Sequence, residues 1–269
     1  MRNTSLILVG ALLLPLAAVA APPQHDWSTP KPADVQVPAY ITRAMNDPAR
    51  AAHKQGGVMQ NDVVRQMAAV LTFTGVKPGD SVLELAPGTG YWTRVLSQIV
   101  GPKGHVYQVW PTEWAKFNSK DLAQWRKLSE TAHYANVSPM QQPLTMVTSP
   151  KLVDIVFTDD NYHDFHDPFS GHVDIERLDK QIYDTLKPGG VFVIVDHIAP
   201  AGSGTSDTNT LHRIDPATVK KEVESAGFMF DGSSDALLNP KDPLNIKIFD
   251  PVVRGHTSQF IYRFRKPVK

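Results

Sequence analysis

The stretch Asp159-Asp160-Asn161-Tyr162-His163-Asp164-Phe165-His166-Asp167 holds the densest set of chemically active side chains in the 269-residue chain. An imidazole flanked by carboxylates suits proton transfer, because a partner acid fixes the tautomer and tilt of the ring. His163 is therefore the candidate base, with Asp160 or Asp164 orienting it. A solvated loop whose Asp and His residues only cap the next helix is the competing reading. The same residue types bind zinc or iron, and His163 and His166 with Asp160, Asp167 or His172 form a conceivable ligand set. Their spacing matches no metal signature, so no metal is assigned. The absence of cysteine excludes a thiolate nucleophile, a Cys-ligated zinc site and a disulfide framework. Further along, His197 ends an apolar run, and His212 and Arg213 follow a Gly- and Ser-rich segment. These three are candidate substrate contacts, the last two suited to an anionic group.

A second stretch has the form of a ligand loop. Val82-Leu83-Glu84-Leu85 has strand propensity and runs into Pro87-Gly88-Thr89-Gly90, after which Val95, Leu96, Ile99 and Val100 recur with helical spacing. Strand, glycine turn and helix make the βα unit that opens a nucleotide-type site at the carboxyl end of a parallel strand. Gly88 and Gly90 allow the backbone to approach a ligand, and Glu84 offers an acceptor beside it.

The elements that must position these groups follow from periodicity. A short helix is expected over Pro38 to Met45, and a second from Asn61 with Val63, Met67, Val70 and Leu71 on one face. His105 to Trp110 reads as a strand, and Ser119 as the cap of a helix carrying Leu122, Trp125 and Leu128. A short strand near Leu144 to Val147 and a buried one at Val153 to Phe157 come next. Ile175, Leu178, Ile182 and Leu186 repeat as a helix stopped by Lys187-Pro188-Gly189-Gly190, and Val191 to Val195 is a continuous apolar strand. Asp215-Pro216 opens a last helix, and strands are expected near Phe228 to Phe230 and Gln259 to Phe264. Apolar strands alternating with helices imply an α/β fold whose parallel sheet is buried on both faces. No repeat interrupts it, so residues 61–269 read as one domain behind a Pro-rich leader at 21–60.

Charge narrows the partners. With 27 basic and 27 acidic residues the chain lacks the footprint of a nucleic-acid binder. Arg2, the apolar run Leu6 to Leu16 and Ala18-Val19-Ala20 form a signal-peptide pattern over residues 1–20, cleaved near Ala20. No other stretch reaches the ~20 apolar residues that a membrane span needs. A periplasmic or secreted location is therefore expected, with no membrane attachment after cleavage.

The order of these parts resembles a class I S-adenosylmethionine-dependent methyltransferase over roughly Asn61 to Lys266. Three pieces carry the resemblance: Val82 to Gly90, Asp154-Ile155-Val156-Phe157 with its polar loop, and Leu186-Lys187-Pro188-Gly189-Gly190 before an apolar strand. It implies a Rossmann-like, doubly wound sheet of about seven strands, the last antiparallel, with helices on both faces. It also implies S-adenosylmethionine as cofactor, with the methionine part wrapped by the loop and contacted by Glu84, and with Thr158 to His163, including Asp159, lining cofactor and substrate. The expected substrate is a small molecule. Three departures stand out, one of them at the acid that such enzymes often place after the third strand to read the adenine amino group, where Thr148-Ser149-Pro150 offers only hydroxyls and backbone. The acid that such enzymes place on the ribose hydroxyls is replaced by Trp110, whose indole cannot accept a hydrogen bond. Glu113 is the nearest substitute, and Trp110 is expected to pack on the adenosine. Ala86 stands where the first loop glycine is usual, which requires a negative φ there. An exported binding protein that keeps the fold without catalysis, and a metal-dependent hydrolase centred on His163 and His166, are the alternatives.

Overall fold

The computed structural model describes residues 35–50 and 61–268. The signal-peptide pattern and most of the Pro-rich leader lie outside the described residues. Helix α1 (Ala39–Met45) precedes α2 (Met67–Thr74), and then strand and helix alternate. The order is β1 (Ser81–Leu85), α3 (Tyr91–Val100), β2 (His105–Pro111), α4 (Ala115–Ser129), β3 (Val137–Gln142) and β4 (Val153–Asp159). After these come α5 (Ile175–Thr185), β5 (Leu186–His197), α6 (Thr208–Leu211), α7 (Pro216–Ser225), β6 (Met229–Ser234) and β7 (Gln259–Arg265).

The seven strands lie in the order β3-β2-β1-β4-β5-β7-β6, with β7 antiparallel to both neighbours and the other pairs parallel. This is the Rossmann-like arrangement expected. Side chains alternate across a strand, and here each alternate set feeds a separate core. Val82, Val106, Ile155, Val193 and Ile261 pack with α1, α2, α3 and α4. Leu83, Val109, Val156, Ile194 and Phe260 pack with α5 and α7 on the other face. Ile41 of α1 is fully buried in the first core, so the packed unit reaches back past residue 61. The chain winds outward from β1 through β2 to β3 and then returns to β4 beside β1. That reversal leaves a crevice between the loops that follow β1 and β4, where open α/β sheets bind ligands.

Several local expectations are corrected. The third strand is Val137–Gln142, whereas Leu144–Met146 is a 3-10 turn. Among the described residues this strand pairs only with β2, and an edge position tolerates Pro139 and a half-buried pattern that hides it from hydrophobic periodicity. Helix α2 begins at Met67, with Gln66 left-handed at φ 44° and Val63 exposed. Helix α4 begins at Ala115, so Ser119 is interior to it and caps nothing. The Lys187-Pro188-Gly189-Gly190 run is the opening of β5.

Candidate active site

A cleft of about 240 Å³ opens at this crevice. Ligand pockets commonly span ~300–1,000 Å³, so the cleft suits part of a nucleoside-type ligand. The glycine loop forms one wall, through Ala86, Gly88 and Thr89, and Asp159 and Asn161 form another. Asn161 Nδ2 donates to the Ala86 carbonyl at 3.1 Å, which ties the two loops together. The hydroxyl of Thr158 donates to the Leu85 carbonyl at 3.1 Å and is fully buried. Thr158 is thus a strut between β1 and β4 and presents nothing to a cofactor. Ala86 has φ 57°, not the negative value its side chain prefers. The loop keeps the left-handed backbone of the usual glycine and bears the strain of a Cβ there.

The floor of the cleft holds a group that no motif announced. Arg65, just before α2, donates to Asp159 and, at 2.9 Å, to Asp160. Its guanidinium lies 5.4 Å from the centre of the Tyr91 ring and 5.8 Å from that of Trp92. Burial pushes the Asp159 carboxyl above its ordinary pKa, and the neighbouring Asp160 adds to this while Arg65 opposes it. Against the same penalty of burial, Arg65 and then His197 hold Asp160 below its usual value. A cation beside a carboxylate in one cleft is complementary to a zwitterionic amino acid, which presents the opposite pair. The partners lie more than ninety residues apart, so spacing could not reveal them.

Glu84 lines the cleft but turns inward. Its carboxyl accepts from Thr93 Oγ1 at 2.5 Å, Gln108 Nε2 donates to that hydroxyl at 2.7 Å, and Trp110 Nε1 donates to Gln108 Oε1 at 3.2 Å. Burial pushes the Glu84 carboxyl up to about 8, partly opposed by the Thr93 bond. This buried relay sets the place of Trp110, which is fully enclosed in the first core and exposes no face for an adenosine to stack on. The carboxylate of Glu113 accepts the Leu144 backbone N–H at 3.1 and 3.2 Å, so it pins the loop after β3. The methionyl half of S-adenosylmethionine therefore has fitting partners in Arg65, Asp159 and the glycine loop. The adenosine half lacks the usual acid at the end of β2.

The acidic loop after β4 is assembled differently from its sequence reading. His163 is buried, and Asp196 orients it: the His163 backbone N–H donates to Asp196 Oδ2 at 2.8 Å, and Nδ1 lies 2.7 Å from Oδ1. The other ring nitrogen, Nε2, is 3.0 Å from Asp164 Oδ1 and 3.3 Å from His212 Nδ1. Against burial, Asp196 and Asp164 hold the His163 pKa well above the usual imidazole value. With Nδ1 engaged by Asp196 and Nε2 by Asp164 and His212, the ring has no nitrogen turned freely to a substrate, which argues against His163 as a free base. Asp160 is not its orienting group, because Arg65 and Gln259 claim that carboxylate.

His197 is buried, with Nδ1 2.9 Å from Thr257 Oγ1 and Nε2 3.3 Å from Asp160 Oδ1. Burial lowers its pKa, so the ring is neutral near pH 7. His212 is half-buried at the mouth of the same region. Arg213, in contrast, is fully buried and makes a two-pronged bond to Asp242 at 2.8 and 3.0 Å, with further bonds to the Ile246 and Ile198 carbonyls. It clamps the segment before β7 and is unavailable to an anionic substrate. His172 is exposed, and His166 faces Glu222 at 3.3 Å, so neither joins His163.

The model of the protein-L-isoaspartate(D-aspartate) O-methyltransferase family matches residues 39–122, under a third of the chain, from α1 into α4. A ubiquinone/menaquinone biosynthesis C-methyltransferase from Pseudomonas paraeruginosa is 30% identical over 137 residues, 49% of this chain and 48% of the relative. A protein-L-isoaspartate O-methyltransferase from Methanosarcina mazei is 28% identical over 172 residues, 62% of this chain and 58% of the relative. The chain thus spans about half the length of the curated relatives it matches. A solved S-adenosylmethionine-dependent methyltransferase from Aquifex aeolicus shares the fold with a TM-score of 0.53 at 18% identity, covering 84% of this chain and 98% of that one.

Strand order and the solved neighbour give the chain the fold of the class I S-adenosylmethionine-dependent methyltransferases, and the family model and relatives it matches are named as methyltransferases. Those names denote different acceptors. The family match ends at residue 122, before the loops that follow β4 and β5.

Proposed function

We propose that this protein transfers the methyl group of S-adenosylmethionine to a small-molecule acceptor bound beside the loops after β4 and β5. The observation that carries the reading is the cleft at the sheet's switch point, where the glycine loop faces the Arg65–Asp159 pair. S-Adenosylmethionine, when bound, supplies a methyl group on a sulfonium, a strong electrophile. The protein's task is then to hold the cofactor and place an acceptor in line with it. In this reading Arg65 takes the methionyl carboxylate, Asp159 takes its ammonium, and the backbone at Ala86 and Gly88 approaches the chain between them. Asp160, His197 and His212 border the acceptor's side. The relatives reported above are named as methyltransferases, which favours transfer over hydrolysis or simple carriage.

Among the described residues no helix is long and apolar enough to cross a membrane. We propose further that residues 1–20 are removed and that a domain over residues 61–269, joined by α1, acts in the periplasm or outside the cell. Support comes from the Arg2, Leu6–Leu16 and Ala18-Val19-Ala20 pattern. Thermal unfolding with and without S-adenosylhomocysteine tests the cofactor site. The wild type gains stability with ligand concentration and Arg65→Met does not. A wild type indifferent to millimolar ligand overturns the reading.

A further inference from the structure

The three side-chain atoms that meet at the mouth of the β4 loop form a metal site, we propose, for a first-row divalent transition metal of the zinc or iron(II) type. His163 Nε2, Asp164 Oδ1 and His212 Nδ1 lie 3.0, 3.3 and 3.3 Å from one another. A metal with ~2.0–2.1 Å bonds to nitrogen and oxygen spaces its donor atoms about 2.9–3.4 Å apart, from octahedral to tetrahedral geometry. All three edges of this triangle fall in that range. Two imidazoles and one carboxylate are the donor set that zinc and iron(II) favour, and they leave positions open for a further ligand.

Asp196 accepts from the Nδ1 side of His163 and leaves Nε2 turned to the triangle, where a metal ion would replace the protons that Nε2 and His212 Nδ1 share with Asp164. The surroundings match a ligating histidine. Asp196 is fully buried and fixes His163 from behind, as the carboxylate behind a metal-bound imidazole does. His212 is held in a left-handed conformation at φ 55°, an uncommon state for a non-glycine residue, and its ring packs 4.9 Å from Phe249. The side chains of Asp164 and His212 remain 18% and 19% exposed, giving an ion a way in.

The pairing escapes sequence reading because His212 lies 49 residues beyond His163 and belongs to no motif. Metal binding is independent of the methyltransferase reading. What the metal would do rests on it: an open position would take an acceptor's hydroxyl or thiol and lower its pKa, the proton passing to solvent without a free histidine base. The oxygen or sulfur would bond to the methyl carbon as the sulfonium C–S bond breaks and S-adenosylhomocysteine leaves. The acceptor class this assigns is an alcohol, a phenol or a thiol.

Cobalt(II) is the probe. Protein purified without a His tag, stripped with chelator and titrated with Co²⁺, gives one equivalent bound and visible d–d absorption. His212→Ala and Asp164→Asn abolish the absorption or weaken binding by more than about tenfold, and Asp196→Asn weakens it by ~10–100-fold. The exposed His172→Ala variant binds as the wild type does. Where a variant fails to fold, X-ray absorption of the wild-type cobalt protein answers the same question, with two imidazoles in the first coordination sphere expected. Wild-type protein that binds no Co²⁺, binding undiminished in both ligand variants, or a coordination sphere without imidazole overturns the proposal. The titration uses no S-adenosylmethionine, so its failure and that of the methyltransferase reading are separable.

Discussion

Replacing Gly90 with alanine tests whether α4 is clamped onto the glycine loop. Gly90 has φ 77°, and a Cβ built there would fall 2.1 Å from the indole Nε1 of Trp125. That indole is fully buried and donates to the Thr89 carbonyl at 3.2 Å, so it cannot simply swing away. A left-handed alanine costs ~1–2 kcal/mol, and forcing a methyl into a packed site costs ~1–3 kcal/mol. The stiffer unfolded chain returns ~0.4–1 kcal/mol. The net is a loss of about 3 kcal/mol, which at ~2–4 °C per kcal/mol for a domain of this size lowers Tm by roughly 6–12 °C. Gly88 is the internal control: its φ is 55°, but a Cβ there meets nothing within 4 Å. Only the backbone penalty applies, so Gly88→Ala loses about 1 kcal/mol and roughly 2–4 °C. Differential scanning calorimetry of both variants reads the contrast. Equal shifts, or a Gly90→Ala protein melting with the wild type, would refute the packing of Trp125 against this loop.

Three further outcomes are expected. Arg65→Met leaves Asp159 and Asp160 without their shared cation, and removing one partner from a buried ion cluster costs ~3–5 kcal/mol in urea unfolding; an unchanged midpoint would deny that the cluster is formed. Burial raises the Glu84 carboxyl from its ordinary 4.5 to about 8, so the folded state holds that proton more tightly than the unfolded chain does. Its stabilising contribution is complete below about pH 4.5 and is lost as pH rises towards 8, and Glu84→Gln flattens that slope in a pH series of melting curves. A slope that is the same in both proteins would exclude a buried neutral Glu84. Asp242→Asn weakens the two-pronged bond to Arg213 and leaves a buried guanidinium short of its counter-charge. The expected loss is ~3–5 kcal/mol in urea unfolding with S-adenosylhomocysteine affinity unchanged, and a loss of affinity with stability intact would place Arg213 in the site instead.

What is legible in the chain is what is contiguous in it. The glycine loop, its strand and the Leu186-to-Gly190 run are local patterns, and they suffice for the sheet and its class. Strand β3 escapes periodicity because an edge strand carrying Pro139 needs no apolar run. The cleft floor is hidden because Arg65 meets its acids across the fold, and only packing of the segment before α2 brings them together. Asp196 orients His163 although Asp160 and Asp164 are nearer in sequence, since the ends of β4 and β5 are neighbours in the sheet. Trp110 has the position of a ligand surface at the end of β2. Its direction depends on strand alternation, which points it into the core with Gln108 as partner.

The cofactor site stands or falls on isothermal titration calorimetry with S-adenosylmethionine. One site is expected on the wild type, with binding abolished or sharply weakened in Arg65→Met and retained in His212→Ala. No heat of binding to the folded wild type at millimolar ligand would contradict a functional cleft between the glycine loop and the Arg65–Asp159 pair.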